Sequence, residues 1–272
     1  MKKIFLLILV TFIQVSIYGQ EAIDFEFSFP ENSHFTIEQS TDNSGTMKIT
    51  GPAHEIDALK KAGYSQNRKM KYLMNYTSEY VTGNKTSDSF RFNFSYSNIN
   101  FDIDSDGKKQ KKEGGFPNLI LKGNIVNEKL AIVQPANTGS SQDQFVNAIP
   151  KYFTLDFPKR SNMKIGESFT VKRNADNKTE GYSFSGDIKY TLIKIENELA
   201  YFSISVIFKN NPTSNLKSTG NGNGEMIYNY KEKFIQSEKM KISFSSSQNQ
   251  TVKIVADNIL VTSYELKNLV KN

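Results

Sequence analysis

The side chains best spaced for chemistry are Asp102, Asp104 and Asp106, followed by Gly107 and, after five more residues, Glu113. Carboxylates at alternate positions, a glycine for the sharp turn and a distal glutamate form the loop pattern that wraps a calcium ion in oxygen. The surroundings argue against that use. The residues before Asp102 alternate like a strand, where a calcium loop needs a helix. Lys109 occupies the position that is normally apolar. Lys108, Lys109, Lys111 and Lys112 would repel a dication. The segment therefore reads as a strand ending in an Asp-Gly turn, and no metal site is assigned.

Other catalytic constellations are hard to assemble. With no cysteine there is no thiolate, and the two histidines, His34 and His54, lack a metal-binding spacing. No Gly-x-Ser-x-Gly elbow and no phosphate-binding glycine loop occur. Gly220-Asn221-Gly222-Asn223-Gly224 leads into a strand and reads as a hairpin or flexible loop. A carboxylate pair for glycoside hydrolysis depends on spatial separation, which residue order does not carry. The expectation is a non-enzymatic protein with no cofactor, and a hydrolase is the alternative.

Chemistry must be positioned by something, and here that is β-structure. From Tyr182 to Phe208 the chain alternates with period two. Tyr182, Phe184, Ile188, Tyr190 and Leu192 form one arm, and Phe202, Ile204, Val206 and Phe208 the other. Alternate side chains of a strand point to opposite faces, so this is a long hairpin with one apolar face, turning at Glu196-Asn197-Glu198. Burying these side chains is worth about 15–25 kcal/mol as an upper bound before chain entropy is counted. Such a face must be covered by the rest of the chain, a partner or an apolar ligand.

The chain in order supplies more of the same. Met1-Lys2-Lys3, an apolar run from Ile4 to Ile13 and a polar start near Gly19-Gln20 make a secretory signal peptide, cleaved after Gly19. The run is too short to span a membrane, and no second one follows, so the mature protein is expected to have no transmembrane span. Export places the protein in the periplasm or outside the cell. Loss of Lys2 and Lys3 lowers a formal charge of +6 by two, which is not the footprint of a nucleic-acid binder. Phe25, Phe27 and Phe29 form a short strand stopped by Pro30. Further short strands, Phe35–Ile37 and Met47–Ile49, flank a turn at Asp42–Gly45. Pro52 to Gly63 is a short helix, opened by proline and closed by glycine. Lys69–Val81 is a long strand. Phe90, Phe92, Phe94 and Tyr96 form the next, and their phase slips to Ile99, Phe101 and Ile103. That slip demands a bulge near Ser97-Asn98. Leu119–Leu121 and Leu130–Val133 make a hairpin. Gln134 to Gln144 is loop and Phe145–Ile149 a short helix. Asn210–Gly224 is a flexible connection. Met226–Tyr230, Phe234–Phe244 and Val252–Tyr264 complete the strands, before a short polar tail.

Two stretches carry a resemblance. Phe157-Pro158 with Lys164-Ile165-Gly166-Glu167-Ser168-Phe169, and Gly220–Gly224 with Glu225-Met226-Ile227-Tyr228, resemble the mid-chain junction and the C-terminal hairpin entry of uncharacterised exported β-rich proteins of Bacteroidota. Phe169 stands where that group usually has tryptophan. The long curved strands the resemblance implies are similar in kind to the half-barrels of periplasmic lipoprotein carriers, an analogy of fold.

The expectation is a mainly β protein. It has one or more long curved antiparallel sheets, as a half-barrel or sandwich, with one or two short helices. The signal peptide spans 1–19, an N-terminal β lobe 20–157 and a C-terminal β lobe 158–272, as two related lobes or one continuous domain. Function is expected to be binding or carriage of a lipid or other apolar ligand in a cavity lined by Phe184, Ile188, Tyr190, Phe202, Ile204 and Val206. The alternative is a structural protein with a dry β core that contacts another protein of the cell envelope.

Overall fold

The computed structural model describes residues 22–86, 89–113, 120–126, 129–134, 157–177, 182–210, 216–249 and 251–271. The expected signal peptide at 1–19 and the expected short helix at 145–149 lie outside these residues. Fourteen strands and one helix, α1 (Ala53–Lys61), are described. The strands before α1 are β1 (Ala22–Phe25) and β2 (Ser33–Thr50). After it come β3 (Asn67–Thr82), β4 (Ser89–Ser105), β5 (Lys108–Glu113), β6 (Ile120–Val126) and β7 (Lys129–Gln134). Next are β8 (Arg160–Lys164), β9 (Ser168–Asn177), β10 (Tyr182–Glu196) and β11 (Leu199–Asn210). The last are β12 (Leu216–Asn229), β13 (Phe234–Asn249) and β14 (Lys253–Lys271).

Twelve strands form one antiparallel sheet in the order β7-β6-β4-β3-β2-β14-β13-β12-β11-β10-β9, with β5 beside β4. The sheet is curved and does not close into a barrel. Strands from before and after residue 157 share it, because β14 pairs with β2 from Lys253↔Thr50 to Lys271↔Ser33. β1 and β8 form a separate two-stranded ribbon.

The central hairpin forms as the alternation requires. Asn197 and Glu198 both adopt left-handed φ, 51° and 66°, which is the backbone of a tight two-residue hairpin turn. Tyr190 pairs with Ile204 and Ile188 with Val206. A register shift between Leu192 and Lys194 turns Ile195 onto the apolar face opposite Ala200. The phase slip in β4 is likewise a bulge. Thr77 pairs with Ser97 but Asn75 with Asn100, so β4 carries an extra residue at this point. Asn98 takes φ 53° there. The bulge keeps Ile103, opposite Tyr72, on the face that Phe94 shares with Tyr80. α1 runs from Pro52 as N-cap to a Gly63 at φ 86°, and buries Ile56.

Three expectations need correction. Asp42–Gly45 is not a turn: β2 runs unbroken through it, and Gly45 pairs with Asn258 and Met70. Gly45 after Asp42-Asn43-Ser44 has the composition of a turn, yet in this strand glycine marks the close approach of Asn258. Gly220–Gly224 is not a flexible loop: these residues are the middle of β12, paired on both sides. The polar tail is also strand, since β14 continues to Lys271. A fourth difference is smaller. Only Ala22–Phe25 of the N-terminal phenylalanine run is strand, and Phe27 and Phe29 follow in extended chain.

Candidate functional site

One face of the sheet, called here the inner face, can be followed by register. Phe169, Tyr190, Ile204, Gly224, Met240, Thr262, Thr41 and Met74 make one cross-strand row from β9 to β3. Alternate residues along each strand repeat that face. Its near end is dry. One cluster contains Phe169, Val171, Ile188, Tyr190, Leu192, Phe202, Ile204, Val206, Met226 and Tyr228, closed by Ile23, Phe25 and Met163 of the β1/β8 ribbon. A second contains Phe35, Ile37, Tyr80, Phe90, Phe92, Phe94 and Phe234.

The chain between β1 and β2 bridges the two. Phe25 is fully buried, its ring 4.6 Å from Phe169 and 4.7 Å from Tyr228. Phe27 stacks on Phe234 at 5.5 Å, and Phe29 meets Phe92 edge-on at 5.8 Å. Both of these rings are only partly buried. Alternation places the three rings on one side of an extended segment, which lies as a strap across the inner face.

Polar contacts fix the strap at its ends. The Glu26 carboxylate accepts from Lys159 and from Lys233, the latter at 2.5 Å. These two ammonium donors pull its pKa down to about 2, against a smaller desolvation effect. The Tyr228 hydroxyl donates to the Glu26 carbonyl at 2.7 Å and accepts from the Glu26 amide at 3.2 Å. Burial pushes that phenol up to about 12. The Ser28 amide donates to the Lys233 carbonyl and the Asn32 amide to the Gly83 carbonyl, each at 2.9 Å. Thr82 Oγ1 donates to the Pro30 carbonyl at 2.6 Å.

Beyond the strap the inner face continues apolar but is not fully covered. Phe208, Met240, Phe244 and Leu260 are partly exposed and pack on the rim of the first cluster. Glycines alternate with these side chains. A Cβ at Gly186 would lie 2.7 Å from the Phe208 ring, one at Gly220 2.6 Å from Phe244 Cβ, and one at Gly222 2.8 Å from Ile242 Cγ1. Bare backbone there lets neighbouring side chains lean over the strand, as a tightly curved sheet needs. A cavity of about 1120 Å³ crosses this region. Its middle is a single row of consecutive partners, Phe208, Gly220, Phe244, Asn258, Gly45 and Met70. The residues flanking this row, Lys69, Lys71 and Asp257 among them, edge the cavity from strand positions of opposite phase, and the Lys71 side chain pairs with Asp42 at 3.5 Å.

Of the residues expected to line a cavity, Ile188, Tyr190, Phe202, Ile204 and Val206 lie together on the inner face, in the dry cluster. None of the five lines the 1120 Å³ cavity. For Phe184 the backbone is described, paired with Asn210 and Ala175. The cavity begins one inner position further along β11, at Phe208. Sequence patterning assigns neither the strap's phenylalanines nor Tyr228 to a site; the phenylalanine run ahead of Pro30 is their signal.

The Asp102–Glu113 segment is a β4–β5 hairpin, with Asp106 and Gly107 at φ 53° and 83°. Asp104 Oδ1 accepts from the Gly107 amide at 2.8 Å, and Asp106 Oδ1 from the Lys69 amide at 2.7 Å. These carboxylates cap turns. Among the described residues no group of three or more His, Asp or Glu is placed to hold a metal ion. His34 Nε2 lies 2.6 Å from Glu79 Oε1, and His54 Nε2 3.6 Å from Glu55 Oε1. No described helix is long and apolar enough to cross a membrane.

No protein-family model and no curated protein matches the chain. Among solved structures it is similar to lipovitellin, at TM-score 0.52 and 10% identity, over 90% of this chain and 26% of that one. The chain thus spans about a quarter of lipovitellin's length. The likeness is one of fold: a large curved antiparallel sheet. Two further matches fall below the level at which shape carries an argument. One is a structure described as asymmetric conductivity of engineered proteins (TM-score 0.28, 7% identity, 83% of this chain and 99% of that one). The other is described as an exported protein with a YmcC-like fold from Bacteroides fragilis (TM-score 0.22, 9% identity, 92% of this chain and 100% of that one).

Proposed function

We propose that this chain is a non-enzymatic, exported protein of the cell envelope that holds a lipid or similar apolar ligand on the inner face of its sheet. The observation that carries the reading is the mismatch between the apolar face and its cover. The ribbon and strap dry out the near end, while Phe208, Met240, Phe244 and Leu260 continue the face partly exposed. Apolar surface in a concave, partly walled site is the usual setting for a small apolar ligand, and a cavity of about 1120 Å³ has room for an acyl chain. The acyl chain would lie along Phe208 and Phe244 of the cavity row. The fold shared with part of lipovitellin, a structure reported for its lipid–protein interactions, fits this reading. The basic start and apolar run of residues 1–19, the pattern of a secretory signal peptide, support export.

A second reading has its own observation. Tyr190, Phe202, Ile204 and Val206 are packed dry, as a structural envelope protein without a ligand requires. Native mass spectrometry on protein purified from its host separates the two. A reproducible bound lipid supports the carrier. A bare chain that captures one envelope protein supports the structural reading and removes the first.

A further inference from the structure

The strap occupies the apolar face in the manner of a ligand. Its two outer rings, Phe27 and Phe29, are partly buried, whereas Phe25 is sealed beneath the ribbon. Phe25 belongs to β1, which is paired with β8 through Ile23↔Met163 and Phe25↔Arg160. From Glu26 onward the chain leaves that ladder. Between Glu26 and Asn32 the described backbone bonds to the sheet are Ser28 to Lys233 and Asn32 to Gly83, supplemented by the Tyr228 hydroxyl at Glu26 and the Thr82 hydroxyl at Pro30. A segment with few backbone bonds and half-buried rings opens more cheaply than the ladders around it. The latch is ionic and sits at the surface, with the Lys159 and Lys233 side chains well exposed. The Glu26–Lys233 ion pair and the Ser28 amide bond both end on Lys233 of the β12–β13 turn, whereas the far end of the strap is held at Thr82 and Gly83.

We propose that residues 26–32 are a displaceable strap, with Phe27 and Phe29 holding the place of an apolar ligand on the inner face and moving aside when one binds. This rests on the ligand-binding reading above and extends that site from the cavity to the stretch of inner face beneath the strap, whose rings do not line the 1120 Å³ cavity. A ligand that needs the open strap binds with an apparent affinity reduced by the fraction open. Fixing the strap removes binding, and loosening the latch strengthens it.

The test uses the full chain, which has no cysteine of its own. Ser28→Cys with Lys233→Cys places two thiols where the backbones are already hydrogen-bonded at 2.9 Å. The probe is cis-parinaric acid, a polyene fatty acid whose fluorescence rises in apolar surroundings. The expected result is binding by the unaltered chain, binding at least as tight by the reduced pair because Lys233→Cys also removes one latch partner, and loss of at least about tenfold in affinity when the pair is oxidised. Glu26→Gln should tighten apparent binding severalfold. If the oxidised pair binds as well as the unaltered chain, the gate is wrong and the binding reading stands. If the unaltered chain takes up no probe, both fall. A second measurement is independent of any ligand. The Ser28 and Asn32 amides should exchange with deuterium faster than the β10–β11 ladder amides, and equal protection overturns the proposal.

Discussion

Glu26 is the most strongly perturbed carboxylate among the described residues, with a pKa of about 2 against an ordinary 4.5. A folded-state pKa below the unfolded one stabilises the fold above the unfolded value, and the stabilisation fades as pH falls toward the folded one. Since both ammonium partners are exposed, the effect is discounted to about 1 kcal/mol. Glu26→Gln should therefore lower stability by that amount near neutral pH, with the gap closing between pH 4.5 and about 2. Urea titrations across that range would show it, and a constant gap would refute the assignment. Tyr228→Phe keeps the buried ring but leaves the Glu26 carbonyl without its hydroxyl donor. It should cost about 1 kcal/mol in the same assay. Neither residue stood out in the sequence, because Glu26 and its lysine Lys233 are far apart along the chain. Period-two patterning assigns Phe202 and Ile204 to a face correctly. It is silent on which part of that face the strap covers, and so the expected cavity residues lie in the dry cluster.

At the scale of elements, β12 gives the clearest experiment. Gly222→Val would drive a Cβ to 2.8 Å from Ile242 Cγ1 and 2.6 Å from the Lys241 carbonyl. Overpacking of this kind costs about 1–3 kcal/mol. The control is Asn223→Val, which points to the other face and should change stability by less than about 0.5 kcal/mol. Chemical denaturation distinguishes them, and equal effects would mean that the glycine row has no special role. The sequence was legible where side chains alternate: the hairpin at Asn197-Glu198 and the bulge at Asn98 follow from the apolar phase alone. It misled where the inner face is built from glycine. Gly220, Gly222 and Gly224 keep the period of a strand, but glycine carries no hydrophobic signal, so the same residues read as a loop. Gly45 misled in the same way inside β2.

For the whole molecule, the prediction concerns what remains with the protein after gentle purification. A lipid retained at about one per chain is the expected outcome. Delipidation should then lower the melting temperature, and re-addition restore it. A melting temperature indifferent to lipid would favour the dry structural reading. The fold class could be read from the alternating strands in series. The joining of early and late strands into one sheet could not, since nothing in a strand's own pattern names its partner.

That joining has a consequence for how the molecule comes to exist. β14, the last described strand along the chain, lies in the interior of the sheet between β2 and β13. Until it arrives, β2 and β13 each expose a long raw edge, and the two apolar clusters have no shared floor. Pairing strands more than two hundred residues apart in the chain is slow, and open edges recruit other chains meanwhile. The protein should therefore collapse late and all at once, depend on a holding factor during the wait, and aggregate when truncated before Lys253.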